Sequence, residues 1–411
     1  LYSSAASDVY KRQANDQTYS VYYYLEGTET PVPGTTAKEN VSAKFDETVT
    51  ETALAVTGYT VAGDSTMSIT VGADNAANKI VFYYTVNSYP LNITYKYADD
   101  VPDAALRGQK AAEPVSRDIA FGAPYSVASP LIPGYTASVA AVAGTMAENG
   151  VTVEVVYRAA TDTAYTVKHM LQDVTGDGYT EDAAARQTLH GTTGADTNAA
   201  AKSYEGFTAQ AVVQQAIAAD GSTVVEIKYD RNSYEVTYAY VGTAPAGASA
   251  LPEKATVKYG APVTVAEAAT APGYTFSGWS RNDFTMPAEN VTITGSFTAN
   301  GDTAYTVEHY QQNLAGDGYD LVEADTEHLT GETDTTATAN PKAYTGFTFD
   351  GTVEGTVASG NIAGDGSLVL KLYYTRNSYD VTYAYTGTVP TGASALPEKA
   401  TVKYGAPVTV A

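Results

Sequence analysis

The chain has 411 residues, of which 44% are hydrophobic, so it is long enough for several modules and apolar enough to give each a core. Its net charge of −23 argues against a nucleic-acid partner and against docking on an anionic membrane, because both repel an acidic surface. No cysteine is present, which excludes disulfides and thiolate metal sites, and no apolar run approaches the roughly 18 residues of a membrane-spanning helix.

The chain opens on LYSSAASDVYKRQ (Leu1 to Gln13), which matches nothing further along. It reads like a translated adapter scar, so residues 1–17 are expected to be a non-native or disordered leader. Both chain ends read as those of a fragment. From there two kinds of unit, A and B, alternate. A diverged A unit (18–88) begins near YSVYYYLEGTETPVPGT and ends on VFYYTVNSY. A diverged B unit (89–160) follows, with PGY at Pro133 and AENGVTVEVVY.

The second A unit (161–233) carries AYTVKHMLQDVTGDGYTE from Ala164. The third (301–378) carries AYTVEHYQQNLAGDGYDL from Ala304, and both close on RNSY. KSYEGF from Lys202 matches KAYTGF from Lys342. The second B unit (234–300) begins VTYAYVGTAPAGASALPEKATVKYGAPVTVA at Val236. The same run returns at Val381 in a truncated third B unit (379–411), with only Val241, Ala244 and Ala246 changed to Thr386, Val389 and Thr391. Self-similarity of this kind is the signature of a repeat array.

Within a unit the period is two. In YDVTYAY, Tyr379, Val381, Tyr383 and Tyr385 share one face, which predicts a strand with that face buried. VTITGSF, TVVEIKY, KIVFYY and LVLKLYY read the same way. Gly364-Asp365-Gly366-Ser367 and Asp220-Gly221-Ser222 predict hairpin turns, and Asn198 to Ala201 is the best place for a short helix. Tyr and Thr, abundant here, favour strands. The predicted fold is mainly β with little helix: an elongated tandem array of small sandwich or β-grasp (ubiquitin-like) modules.

The A units, with YTVKHMLQ…GDGYT and a closing strand before RNSY, resemble the MucBP and InlB B-repeat-like modules of Gram-positive surface proteins. The B units, with GYTFSGWS…FTMPAENVTITGSF, are similar to the Listeria-Bacteroides repeat, well over Gly273 to Phe297 and loosely over Gly134 to Tyr157, where the Trp is missing. The resemblance implies secreted β-grasp modules forming a stalk on a cell-wall protein.

Few residues suggest chemistry. His169 and His309 share one position in an alternating strand. With 4 His and no Cys in the chain, a packed histidine bonded to a neighbour is expected rather than a metal ligand or a catalytic base. Asp173, Asp177, Glu181 and Asp182 surround one Gly-Asp-Gly turn. The next A unit has Asn313, Asp317, Leu321 and Val322 there, so a solvated turn is expected rather than a calcium loop. Lys202 and Lys342 recur at one position and are the A-unit lysines to weigh for an isopeptide crosslink, against a solvated loop lysine. Trp279, the one Trp, is expected to anchor its own core rather than stack on a sugar. GDGSLVL and GDGY lack the Lys and following helix of a phosphate loop.

No catalytic residue, metal or cofactor is assigned, no ligand-binding residue can be named, and the chain is not expected to be an enzyme. The expected role is a structural stalk or spacer segment of an extracellular, cell-wall-attached bacterial protein, part of an adhesin, each module contacting mainly its neighbours in the chain. Two alternatives stand beside it: a direct binding module for mucin-type host glycans or a host surface protein, and the non-catalytic accessory region of a surface enzyme.

Overall fold

A computed structural model describes residues 17–410. The leader expected over residues 1–17 lies outside the described residues except for Gln17, which opens the strand Gln17–Leu25 and pairs with Ala43. The protein is mainly β, a succession of small sheets, and among the described residues its helical content is two three-residue 3-10 turns, Ala183–Ala185 and Glu323–Asp325. Asn198 to Ala201, where a helix turn was expected, is irregular. Among the described residues no helix is long and apolar enough to cross a membrane. Two compact units divide the chain. One runs to Met170 and takes in Thr180–Lys202 and Ala209–Lys228; the other comprises Leu171–Tyr179, Ser203–Thr208 and the chain from Tyr229.

In the first unit, one sheet is ordered Lys38–Ala43, Gln17–Leu25, Lys79–Val86, Tyr59–Ala62. Its outer pairs are antiparallel. The central pair is parallel, with Val21 opposite Ile80 and Tyr24 opposite Tyr83. A parallel pair needs a long crossover, and here the ribbon of Thr48–Thr52 with Thr66–Thr70 takes the place of the usual helix. The alternation YSVYYY sends Tyr19, Val21 and Tyr23 into a core with Ile80, Phe82 and Tyr84. The next sheet is ordered Tyr135–Ala137, Val151–Ala159, Ser88–Tyr97, Lys110–Ala120, again with a parallel central pair and a separate ribbon, Pro124–Ala128 with Ala141–Thr145. Leu91, Ile93, Val155 and Tyr157 are at its core.

In the second unit, Ser233–Tyr240 lies between Ala255–Lys258 and, in parallel, Val291–Gly295. A further sheet is ordered Tyr319–Leu321, Thr303–Gln312, Val369–Arg376, Phe347–Phe349, with Glu327–Gly331 also on Thr303–Gln312. Thr303–Gln312 and Val369–Arg376 are parallel, with Val307 opposite Leu370 and Tyr310 opposite Tyr373. Thr163–Gln172, Tyr179–Glu181, Gln187–Gly191, Phe207–Ala209 and Val224–Arg231 follow the same order along the chain as these elements.

Tyrosine abundance has a structural use. Tyr84, Tyr157, Tyr229 and Tyr374 are almost wholly buried near the ends of equivalent strands. The hydroxyl of Tyr84 pairs with Leu54 O (2.8 Å), that of Tyr157 with Pro130 O (2.6 Å) and that of Tyr374 with His309 Nδ1 (2.9 Å), so these rings fill a core without stranding a polar atom.

Two expectations need correction. Gly221 and Gly366 do adopt positive φ, and Asp220 and Asp365 each accept a hydrogen bond from the backbone N–H two residues on. These turns lead into a strand rather than joining two strands of a hairpin, however, because the preceding strand Ser359–Asn361 pairs with Thr336–Thr338. The strand expected over Tyr379 to Tyr385 stops at Val381, and Tyr379 and Tyr385 are exposed. In the earlier copy the parallel strand Val291–Gly295 holds Val236 to Tyr240 in place. Residues 379–411 contain no counterpart of it.

Candidate functional site

The residues singled out for chemistry are structural in their surroundings. His169 and His309 are fully buried. His309 contacts the Tyr374 hydroxyl through Nδ1 (2.9 Å) and Glu327 Oε1 through Nε2 (3.1 Å), while His169 Nε2 lies 3.2 Å from Gln187 Oε1. No group of three or more His, Cys, Asp or Glu suited to a metal ion occurs among the described residues. At the acidic turn, Arg186 forks onto both carboxylate oxygens of Glu181 (2.7 and 2.8 Å) and holds its pKa below the usual range. In the other copy Asn313 accepts from Gly316 N–H and donates to Asp317. Lys258 reaches from the next sheet to the Gly176 carbonyl (3.3 Å), so the turn carries a contact between sheets rather than only solvent.

Lys202 Nζ donates to the Ala185 carbonyl (2.9 Å). Lys342 makes the same bond to Asp325 O (3.0 Å) and adds an ion pair to Glu327 (3.1 Å). Burial works to lower the Lys342 pKa, but the bond to Glu327 and the nearby carboxylates outweigh it, and the net shift is upward. An amine held protonated is not a nucleophile, which counts against isopeptide chemistry here. Trp279 packs among Tyr238, Tyr240 and Phe276 and donates Nε1–H to Glu267 O (2.9 Å). It fits because Gly295 stands where the earlier B unit has the buried Val155: a Cβ on Gly295 would lie 2.4 Å from Phe276 and 3.1 Å from Trp279.

Around Lys342, Glu327 is lowered by hydrogen bonds from His309 and then Lys342, and Asp325 by one from Tyr344. A depressed carboxylate pKa contributes stability above its unfolded value that is lost as pH falls. The corresponding residues in the previous A unit are Gln187 and Ala185. Calorimetry should therefore show wild type losing more thermal stability between pH 5 and 3 than Glu327→Gln. The difference should be small, because these side chains are about one-third exposed and screened by water.

The arrangement that does recur is at the joints between successive sheets. Gly-[Tyr/Phe]-Thr occurs six times; five copies, beginning at Gly58, Gly134, Gly206, Gly273 and Gly346, lie at joints and their glycines have φ between 72° and 82°, whereas the sixth, at Gly178, belongs to the acidic turn. At each of the five, a joint residue donates its N–H to the glycine carbonyl and accepts, at its own carbonyl, an N–H from the next sheet's turn. Asn232 N donates to Gly206 O (2.9 Å) and Tyr259 N donates to Asn232 O (2.8 Å). The same two bonds link Gly58, Asn87 and Phe121; Gly134, Ala160 and Thr193; Gly273, Asn300 and Thr333; and Gly346, Asn377 and Tyr404. In four of the five, the threonine hydroxyl also donates to the Asn side chain: Thr60, Thr208, Thr275 and Thr348, at 2.6 to 2.7 Å. The receiving turn is left-handed as well, at Gly122, Gly194, Gly260, Asp334 and Gly405.

Positive φ explains the first glycine. Close approach explains it a second time: a Cβ on Gly206 would lie 2.3 Å from the Tyr259 ring, and one on Gly273 would lie 2.4 Å from Gly364 Cα. Where an A unit precedes B, an arginine can complete the clasp. Arg231 lies over Phe207 (4.6 Å) and donates Nε–H to Gln172 O (3.1 Å) and an Nη1–H to Tyr259 O (2.8 Å); Arg376 repeats this with Phe347, Gln312 and Tyr404. Val86 stands in that place at the first joint. At four of the five joints the sequence carries the signal as Gly-[Tyr/Phe]-Thr followed by Asn 26 to 31 residues after the glycine; after Gly134 the place is taken by Ala160. The signal is hidden because A and B units look unlike elsewhere.

The comparisons with known proteins bear on the B units. Residues 90–158 match the MucBP domain, and residues 236–301 match the divergent InlB B-repeat domain. Both matches thus fall on B units, not on the A units to which the sequence resemblance assigned the MucBP and InlB B-repeat-like modules. No curated protein matches the chain. Among solved structures, it is similar to the Bacillus anthracis TIE protein at 12% identity and a TM-score of 0.30, over 57% of this chain and 53% of that one, about half its length. It is also similar to Streptococcal High Identity Repeats in Tandem (SHIRT) domains 3-4 from a cell surface protein, at 15% identity and a TM-score of 0.15, over 32% of this chain and 96% of that one. Neither matched domain family is catalytic. Two stretches of the chain carry domains typical of extracellular surface proteins, which makes this a cell-surface type of repeat region.

Proposed function

We propose that the chain is a stalk or spacer segment of a Gram-positive, cell-wall-attached adhesin, projecting a binding domain from the wall. The observation that supports this most is the clasp repeated at all five joints, since a spacer depends on how each module is held to its neighbour. On this reading the modules are 18–88, 89–160, 161–233, 234–300, 301–378 and 379–411, the B units being of the Listeria-Bacteroides type. Each complete module is read as a β-grasp variant without the covering helix; in 18–88, 89–160 and 301–378 the first and last strands form the central parallel pair. A self-repelling charge of −23 would discourage modules from collapsing on one another. Small-angle scattering is the test. The radius of gyration should be well above the roughly 22 Å of a single globule of this length, and a value near 22 Å would overturn the spacer reading.

The MucBP match over residues 90–158 favours a second reading, direct binding of mucin-type glycans. A mucin pull-down with the whole chain distinguishes the two: saturable micromolar binding would replace the pure spacer with a binding module.

A further inference from the structure

The outward faces of the A-unit sheets differ in one respect. In the third A unit, the central parallel strands place Glu308 beside Lys371 and Tyr310 beside Tyr373 on the face away from the core. The two rings stack (4.9 Å), the Lys371 ammonium sits 6.0 Å from the Tyr310 centroid, and Glu308 accepts from the Tyr310 hydroxyl (2.6 Å). This face supplies its own cation to its aromatic pair. In the second A unit the same positions are Lys168, Glu226, Met170 and Lys228.

The first A unit keeps the rings and omits the cation. Its registers place Tyr22, Val81, Tyr24 and Tyr83 at those four positions. Tyr22 and Tyr24 stack at 5.6 Å, and Tyr83 is 39% exposed. A groove of about 550 Å³ runs between Tyr83 with Ala62 and the turn carrying Glu26 and Glu29. Both carboxylates, and that of Glu39, are exposed and have no lysine or arginine ion-pair partner among the described residues. Glu29 and Glu39 lie close enough to Tyr24 to help raise its pKa, after burial and Tyr22.

We propose that this face of the first A unit, Tyr22, Tyr24 and Tyr83 with the Glu26–Glu29 rim, binds a lysine- or arginine-rich polypeptide segment, whose cationic side chain takes the place that Lys371 occupies in the third A unit. Tyrosine faces attract ammonium and guanidinium groups, and two carboxylates at the rim give the charge complementarity that fixes the partner's sign. Val81 is the position that leaves the place open.

The test uses the whole chain and fluorescence anisotropy of a labelled acetyl-(Lys-Gly)4-amide peptide, with acetyl-(Gln-Gly)4-amide and a neutral N-acetyllactosamine oligosaccharide as the other arms. Saturable binding of the lysine peptide alone is expected. Val81→Lys, which restores the arrangement of the third A unit, should weaken it roughly tenfold, and so should Glu26→Gln with Glu29→Gln. Glu253→Gln, in the second unit, changes net charge as much as Val81→Lys and should weaken binding less than twofold. Equal losses in Val81→Lys and Glu253→Gln would reduce the effect to net charge and overturn the proposal. Saturable binding of the glutamine peptide or the oligosaccharide, abolished by Tyr24→Thr with Tyr83→Thr, would overturn the cationic assignment. The spacer reading depends on scattering, so either can fail without the other.

Discussion

Replacing Gly273 by alanine is expected to open the joint between the sheet of Ser233–Tyr240 and that of Thr303–Gln312. Two costs coincide. At φ 74° a side chain sits in the left-handed region, which costs about 1–2 kcal/mol for an L-residue. The new Cβ would also meet Gly364 Cα at 2.4 Å, Thr333 Oγ1 at 2.7 Å and Gly364 O at 2.8 Å. Two of those three atoms are backbone, so no rotamer change relieves the clash. Separation of the turns would break Asn300 N to Gly273 O, Thr333 N to Asn300 O and Thr333 Oγ1 to Gly273 O. With a combined cost of about 3 kcal/mol, amide exchange at Asn300 and Thr333 should accelerate roughly a hundredfold. Amides of the Leu370 and Leu372 core strand should be little changed. Gly364→Ala gives a comparison, since its Cβ would lie 2.0 Å from Pro272 O but its φ is not left-handed. The first unit already has Ala219 at that position, opposite Gly134. The second substitution should therefore be the milder one. Unchanged exchange in Gly273→Ala would mean that the joint is not held by this contact.

Strand faces and turns were legible because both signals are local. Period-two alternation places Val21, Val307 and Leu370 in cores, and Gly-Asp-Gly-Ser marks a left-handed turn whatever surrounds it. Failures came where the deciding partner was distant. Val381 lies in the same local sequence as Val236, yet only Val236 has a parallel strand beside it, so identical residues have different burial. His309 and Lys342 could be paired by their recurrence, but their carboxylate partners Asp325 and Glu327 change between copies and gave no repeat signal. The clasp was missed for a related reason. EGF, TGF and PGY were each recognised within their own repeat class, whereas the shared Gly-[Tyr/Phe]-Thr crosses the classes and is completed by Asn in a different stretch. Likeness between A and B units is therefore concentrated in the parallel strand pair and the joint, where geometry must be the same for either kind of neighbour.

Arg231→Ala is expected to loosen the joint it completes without abolishing it. The guanidinium lies over Phe207 at 4.6 Å, a contact worth about 0.5–1 kcal/mol where solvent reaches it. Its two donated bonds, to Gln172 O and Tyr259 O, go from a charged group to carbonyls on either side of the joint, at about 1.5–3 kcal/mol each before loss to water. Alanine leaves both carbonyls free to hydrate, so the net loss should be nearer 2 kcal/mol than the sum. The backbone bonds through Asn232 and the Gly206 contact remain, and the first joint shows that they suffice for a clasp with Val86 in the arginine's place. Amide exchange at Asn232 and Tyr259 should rise roughly thirtyfold, while that at Asn300 and Thr333 stays put. Lysine should not rescue, because a single ammonium cannot span two carbonyls and lie flat on a ring. Full rescue by Arg231→Lys would show that charge alone matters at this joint. The reverse substitution, Val86→Arg, asks whether the first joint can accept the same clamp. Tyr59 and Phe121 stand there in the positions of Phe207 and Tyr259, so slower exchange at Asn87 and Phe121 is the expected gain.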